Sequence, residues 1–299
     1  MNNNFVRALA FSPDGRLLAA GDGTGYGDLW LWEAATGQLR FTVPDVRVGL
    51  DNSFCFRPDG QFLACIDRDN ALKLLHVPDE TVCCVLAGSQ SPIEVIRFSP
   101  DGSLLAALGR DGTLFIWQLA PDGSVLRQVH FQGRSANADF WNLAFSPDSQ
   151  AVAFQLDTNN LGIFAVRHGE LRCSMTELLY GVGSLAFSRD SAFLITGSAD
   201  GRVRVWDAAT GECRAALTGH ESTVRSLAVN VADGRIASGG DDGAIRLWDI
   251  PAGECTLTLA PPRPYEGLDI TGAVGLSPTR VETLKTLGAA TDTSAGKPE

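Results

Sequence analysis

The sequence predicts an all-β protein assembled from six copies of one four-stranded unit. The first observation is a short apolar strand that ends in a tight turn and recurs along the chain. It reads Phe11-Ser12-Pro13-Asp14-Gly15, Phe56-Arg57-Pro58-Asp59-Gly60 and Phe98-Ser99-Pro100-Asp101-Gly102. Weaker copies follow as Phe145-Ser146-Pro147-Asp148-Ser149, Phe187-Ser188-Arg189-Asp190-Ser191 and Val229-Asn230-Val231-Ala232-Asp233-Gly234. The intervals are 45, 42, 47, 42 and 42 residues, a period that belongs to radial or stacked repeats. The second observation is that each copy divides into four short strands joined by gaps too short for a crossover helix, so each sheet must be an antiparallel meander. The third is the regularity of two late copies, Gly197–Leu217 and Gly239–Leu259, which read GSADGRVRVWDAATGECRAAL and GGDDGAIRLWDIPAGECTLTL.

The turn has a mechanism. Pro presets φ, Asp bonds back to nearby backbone, and Gly accepts positive φ. In the first repeat the strands are expected at Val6–Phe11, Leu17–Ala20, Leu29–Trp32 and Gln38–Val43. In the sixth they are expected at Val224–Val229, Arg235–Ser238, Ala244–Trp248 and Glu254–Leu259. A four-stranded meander cannot bury both faces alone, so neighbouring copies must cover them.

Composition fits a globular chain. Of 299 residues, 44% are apolar and 20% charged, enough to bury a sizeable core. No apolar run approaches the ~18 residues of a membrane helix, and Met1-Asn2-Asn3-Asn4 opens no secretory signal. Seven cysteines in no metal pattern suit a reducing cytoplasm. The net charge of −11 and the presence of only three lysines, Lys73, Lys285 and Lys297, argue against a nucleic-acid surface. Neither nucleic acid nor membrane is an expected partner, and no cofactor is expected.

The repeats resemble the WD-repeat β-propeller family over about residues 5–260. The resemblance is strong at Trp206-Asp207 and Trp248-Asp249, weaker at Trp32-Glu33 and Trp117-Gln118, and faint at Leu75-His76 and Phe164-Ala165. It implies a ring of four-stranded blades around a channel. The blades would span about 5–43, 50–86, 92–130, 139–175, 182–217 and 223–259, with a tail over 261–299. It also implies a polar network of His, Ser or Thr, Asp and Trp pinning each blade. Only the sixth blade matches all four, with His220, Ser238, Asp242 and Trp248. The fifth keeps Thr196, Asp200 and Trp206, with Leu178 in place of His. The third keeps Asp111 and Trp117, with Ser89 and Ala107 at the His and Ser positions, and the second keeps only Asp69. The early blades are therefore expected to rest more on packing. Every repeat runs through its four strands in order from Val6. Either six blades close by packing, which the complete count favours, or the chain is part of a longer propeller.

In the tail, Pro261, Pro262 and Pro264 end the last strand. Ser277-Pro278 starts a helix, with Ser as N-cap and Pro at the first helical position. Val281, Leu284 and Leu287 recur at helical spacing, so a helix is expected over about 278–287, followed by a disordered end. Arg263-Pro264-Tyr265-Glu266-Gly267 through Leu287-Gly288-Ala289 resembles a tail of bacterial WD-repeat signalling proteins, many of which carry a STAND-type switch ATPase ahead of the propeller. That resemblance implies a bacterial, regulatory setting. No P-loop motif occurs in the chain.

Catalytic motifs are weak. None of His76, His130, His168 and His220 stands at metal-ligand spacing. Gly181-Val182-Gly183-Ser184 lacks the second Gly of a nucleophile elbow. The glycine-rich Gly21–Gly27 joins two strands and opens no helix, so it fails as a phosphate cradle and reads as a long flexible loop. Asp67-Arg68-Asp69-Asn70 and Asp241-Asp242-Gly243 have too few oxygen ligands for calcium and read as solvated turns. Redox chemistry at Cys83-Cys84 requires a thiol with a depressed pKa.

The most plausible functional surface is the rim that carries the loops entering the inner strands. These loops are residues 44–52, 87–92, 132–140, 176–183 and 218–223, joined by the turns near 21–27, 66–70, 108–112, 156–160, 197–201 and 239–243. On or beside them lie Tyr26, Arg47, Arg68, Arg110, Arg134, Phe140, Trp141, Tyr180 and Arg225, residue types favoured at interface hot spots. The insertion Gly133–Phe140 makes the fourth blade's loop the longest. The sequence thus points to a non-enzymatic scaffold or sensor that binds a protein or peptide. The sensor part of a switch ATPase is the alternative, and a channel hydrolase the weakest reading.

Overall fold

The structure is a computed structural model. It describes residues 6–22, 25–48, 53–86, 91–132, 142–157, 159–167, 169–176, 181–230, 232–250, 252–260, 268, 270–271 and 277–286. The chain folds into six four-stranded antiparallel sheets, each taking its strands in sequence order. Blade one comprises Val6–Phe11, Leu17–Asp22, Gly25–Glu33 and Leu39–Val48, and blade two Phe54–Phe56, Phe62–Ile66, Leu72–His76 and Thr81–Leu86. Blade three comprises Ile93–Phe98, Leu104–Gly109, Thr113–Leu119 and Val125–Gln132, and blade four Leu143–Phe145, Ala151–Gln155, Leu161–Ala165 and Leu171–Met175. Blade five comprises Val182–Phe187, Phe193–Ser198, Val203–Asp207 and Cys213–Leu217, and blade six Val224–Val229, Ile236–Gly240, Ile245–Asp249 and Glu254–Leu259. A helix, Pro278–Thr286, follows. The Ser277 hydroxyl accepts the Arg280 amide at 3.3 Å, which is the N-cap expected of Ser-Pro.

The strand period of two gives each sheet two apolar faces, and the repeats stack those faces together. Five apolar clusters result, joining blade one to two, two to three, three to four, four to five and five to six. The front face of each blade supplies large residues. In blade five these are Leu185, Phe187, Leu194 and Trp206, which pack on Ala151, Ala153, Leu161 and Ile163 of blade four. Blades two to four, covered on both sides, have second strands buried along their whole length: Phe62–Ile66, Leu104–Gly109 and Ala151–Gln155. Close approach also matters. A methyl group on Gly183 would lie 2.2 Å from the Val224 carbonyl oxygen, so this glycine lets the inner strands of blades five and six meet.

The recurrent turns form one rim of the ring. The Ser12, Ser99, Ser146 and Ser188 hydroxyls each donate to the Asp two residues on, at 2.5–2.6 Å. The hydroxyl oxygen accepts the amide five residues on, as with Leu17, Leu104, Ala151 and Phe193. In the two copies without Gly, Ser149 and Ser191 adopt φ of 58° and 61°. Their hydroxyls accept the backbone N–H of Asp101 and Asp148 in the preceding blade, at 3.2 and 3.3 Å. The second turn replaces Ser with Arg57. This guanidinium is buried, grips Asp59, stacks over Phe62 at 4.1 Å and donates to the Pro121 carbonyl of blade three at 2.9 Å.

One expectation is corrected. Gly21–Gly27 is not a long loop, because the second strand runs to Asp22 and the third restarts at Gly25. The fourth strand likewise continues to Val48, and Tyr26 stands opposite Arg47 in the ladder. Gly21 leaves room for the extension. A Cβ on Gly21 would sit 2.9 Å from the Val48 side chain.

Candidate partner-binding surface

The opposite rim carries the hairpins between second and third strands and, in blade six, the loop 218–223 that enters the inner strand. Its framework is the polar network. In blade six, Trp248 Nε1–H donates to Ser238 Oγ at 2.8 Å, Ser238 Oγ lies 2.7 Å from His220 Nε2, and His220 Nδ1 lies 2.9 Å from Asp242. Because Ser238 Oγ already accepts from Trp248, it can donate to Nε2, leaving Nδ1–H for the carboxylate. Asp242 also accepts the Glu221 and Ala244 amides and the Arg246 guanidinium. Burial alone would raise the Asp242 carboxyl, but the His220, backbone and Arg246 hydrogen bonds outweigh it and hold the group far below the usual carboxylate range.

Blade five solves the missing histidine differently. Trp206 Nε1–H donates to Thr196 Oγ1 at 2.9 Å. Asp200 pairs with the nearly buried Arg204 at 2.6 Å, and Arg204 also reaches Ser198 at 3.2 Å. In blade three Trp117 is buried against Phe115, at 5.8 Å between rings, and Asp111 accepts the Thr113 amide at 3.0 Å. In blade two the matched Asp69 is exposed. Asp67 is the buried carboxylate there; it accepts the Ala71 amide at 2.8 Å and pairs with Lys73 at 3.2 Å, so this turn is less solvated than its composition suggests. Leu178 and Ser89 lie outside the described residues.

Over blades one to three the rim gathers the candidate residues. The extended outer strand of blade one carries Asp45, at φ 57°, and Arg47 across to its neighbours. Val46 bridges to Asp67, and the Arg68 side chain pairs with Asp45. Arg47 donates to the Ile93 carbonyl and reaches Glu94 at 3.2 Å, and Arg110 reaches the same Glu94 at 2.9 Å. Asn70 ties blade two to three, donating to Ser91 O at 2.6 Å and accepting the Ile93 amide at 2.8 Å. Tyr26 stands exposed beside Arg47, and Arg68 and Arg110 keep about 60% of their surfaces exposed. Arg225 sits apart on blade six, paired with Asp241 at 2.8 Å. Arg134, Phe140, Trp141 and Tyr180 lie outside the described residues.

Glu94, Asp45 and Asn70 organise this cluster and escape sequence reasoning, because their partners lie in other blades. Arg204 and Arg246 carried a signal, each standing two residues before its Trp. Cys83 lacks the depressed pKa that redox chemistry at Cys83-Cys84 requires. Desolvation raises the Cys83 thiol instead of depressing it, and burial pushes Cys55 and Cys65 up to about 12.

Six four-stranded meanders, with Trp-centred polar links in blades five and six, define a β-propeller of short repeats. The chain carries stretches similar to the WD40 repeat: the family model "WD domain, G-beta repeat" matches residues 2–32, 80–118, 175–207 and 211–249. Among relatives, human WD repeat and SOCS box-containing protein 1 is 31% identical over 111 residues, 36% of this chain and 26% of that one. Small ribosomal subunit protein RACK1y of Oryza sativa subsp. japonica is 38% identical over 131 residues, 41% of this chain and 37% of that one. Apoptotic protease-activating factor 1 of Mus musculus is 26% identical over 102 residues, 34% of this chain and 8% of that one. The chain thus spans about a quarter of the length of the first of these relatives. WD-repeat proteins generally act as protein-interaction scaffolds.

Proposed function

We infer that this propeller is a non-enzymatic scaffold that binds a protein or peptide on the rim of blades one to three, in a cytoplasmic regulatory setting. The observation that supports it is the cluster of Tyr26, Arg47, Arg68 and Arg110 around Asp45 and Glu94. It sets exposed aromatic and guanidinium groups on a rigid, interlocked base within an acidic chain. Such groups supply contact area and directional donors at low ordering cost. Arg47 is locked by the Ile93 carbonyl and Glu94, so Tyr26 and the paired but exposed Arg68 and Arg110 are the groups that meet a partner. A bacterial signalling role, as the sensor of a switch ATPase, is a narrower form of the same reading and rests on the tail resemblance alone.

The test is affinity capture from the source cells with the parent chain and with Tyr26→Ala/Arg110→Ala. A specific partner should be recovered by the parent and reduced at least tenfold by the double variant, with the thermal midpoint unchanged. Recovery of no partner by the folded parent, or equal recovery by both, contradicts the assignment.

A further inference from the structure

On the rim that carries the recurrent turns, neighbouring blades leave clefts whose charges are settled in different ways. Between blades one and two, Arg16 and Arg40 line the cleft and are paired with Asp14 at 3.7 Å and Glu80 at 3.1 Å. Between blades two and three, Arg57 lies in the junction itself, with Asp59 on its guanidinium and the Phe62 ring against its plane. Between blades five and six, Phe193, Ile236 and Ile250 make the cleft apolar, and Asp233 at its edge pairs with Arg235 at 3.6 Å. The cleft between blades three and four, of about 210 Å³, leaves its cations without acids. Leu104, Ile116 and Val166 form a buried floor, and Arg127, Arg167, Gln118 and Gln150 are exposed at its edge. Arg127 Nη1–H donates to the Arg167 carbonyl at 3.0 Å. Arg172 Nη2–H donates to the Gln150 carbonyl at 3.2 Å, which brings a third guanidinium to the same edge. Among the described residues no carboxylate forms an ion pair with any of the three, in a chain where acids outnumber bases by 35 to 24. Asp148 acts on Arg172 at longer range only. Asp101, the one acid lining the cleft among the described residues, accepts from Ser99 and Ser103 instead.

Size and chemistry together select the occupant. Cofactor and drug-sized ligands need pockets of about 300–1,000 Å³, so this cleft suits a single side chain. Its floor is apolar, so that side chain is apolar too. A guanidinium matches a carboxylate in a planar fork, and two of them flank the floor. Arg127 is held in place by the Arg167 carbonyl, which lowers the cost of ordering it on binding. Arg57 shows the same arrangement completed inside this molecule, with a carboxylate on the guanidinium and an apolar ring beside it. We propose that the cleft between blades three and four docks an acidic peptide segment of a partner protein. One apolar side chain of that segment rests on Leu104, Ile116 and Val166, and flanking carboxylates pair with Arg127 and Arg167. Arg172 extends the basic edge for a further carboxylate. This surface lies on the rim opposite Tyr26 and Arg110, so it does not rest on the assignment made for them.

Two experiments on the full chain test it. In the first, fluorescence anisotropy follows binding of a labelled peptide library in which one Leu, Ile, Val or Phe lies between runs of Glu and Asp. Members of the library should bind the parent, more weakly as salt is raised, and their Gln and Asn counterparts should not. Arg127→Gln/Arg167→Gln should weaken binding at least tenfold, a loss of about 1.4 kcal/mol, with the thermal midpoint unchanged. Arg68→Gln/Arg110→Gln removes the same charge from the other rim and should leave binding as it is. No binding by any member, equal binding by the Arg127/Arg167 variant, or equal binding of the amide counterparts overturns the proposal. Displacement of the peptides by inorganic phosphate at equal concentration marks a small-anion site and also overturns it. In the second, a photo-cross-linking amino acid at position 118 is activated in the presence of the tightest-binding peptide. An adduct at position 118 is expected. None, with the peptide bound, places it elsewhere and overturns the proposal, a result that does not depend on how the arginine variants fold.

Discussion

Ser238 occupies a position where one oxygen serves two buried partners. It accepts from Trp248 and donates to His220, which passes the polarity on to Asp242. Ser238→Ala leaves both the indole N–H and the imidazole nitrogen without a partner, a loss of about 3 kcal/mol. Thr196→Val in blade five strands only the Trp206 N–H and should cost about 1.5 kcal/mol; chemical denaturation of both variants checks the order. Asp242 adds a pH dependence. Its folded pKa is depressed, so its contribution is present above the unfolded value of about 4 and is lost as pH falls below it. Asp242→Asn should flatten the acid limb of the stability profile below about pH 4, and an unaltered limb would contradict the network. The four residues of this network were legible in the sequence because they recur at fixed offsets within one repeat. Arg204 was missed despite its fixed offset from Trp206, since its pairing with Asp200 replaces a histidine that a motif search expects elsewhere.

At the scale of an element, the Ser-Pro-Asp-Gly turn is both a hairpin and an inter-blade fastener. Ser149 shows the compromise. A non-glycine residue at positive φ costs about 1 kcal/mol, offset by a hydroxyl that satisfies the Asp101 amide of the neighbouring blade. Ser149→Gly should therefore be nearly neutral, while Ser149→Ala keeps the strain, loses the bond and should destabilise by about 1–2 kcal/mol. Arg57 replaces the serine of its turn with a longer reach. Arg57→Ala removes the Phe62 stacking and the bonds to Ala120 and Pro121, for about 2–3 kcal/mol. Arg57→Lys should not rescue it, because an ammonium cannot reproduce the planar fork; thermal melts of the two variants decide this. The turns themselves were readable from Pro, Asp and Gly. Their cross-blade bonds were not, because they join residues 43 to 64 positions apart, and a repeat pattern specifies only what happens within one period.

Across the whole molecule, the repeat count, the strand order and the antiparallel pairing followed from period and gap length. The closure did not. Exposure of Phe11 and Ile245 is a property of which blade has a neighbour, and their residue types match those buried elsewhere. The extension of blade one's third and fourth strands also escaped prediction, because a glycine-rich run reads locally as a loop while Tyr26, Arg47 and the bridge from Val46 to Asp67 hold it in a ladder. Stability should accordingly be graded around the ring. Among the described residues, the central blades are covered on both faces, whereas blades one and six are each covered on one. Native-state hydrogen exchange of the isolated 299-residue chain measures this directly. The second strands of blades two to five should exchange slowest, with those of blades one and six at least tenfold faster. Uniform protection around all six blades would mean that blade six packs on blade one, and would contradict the account.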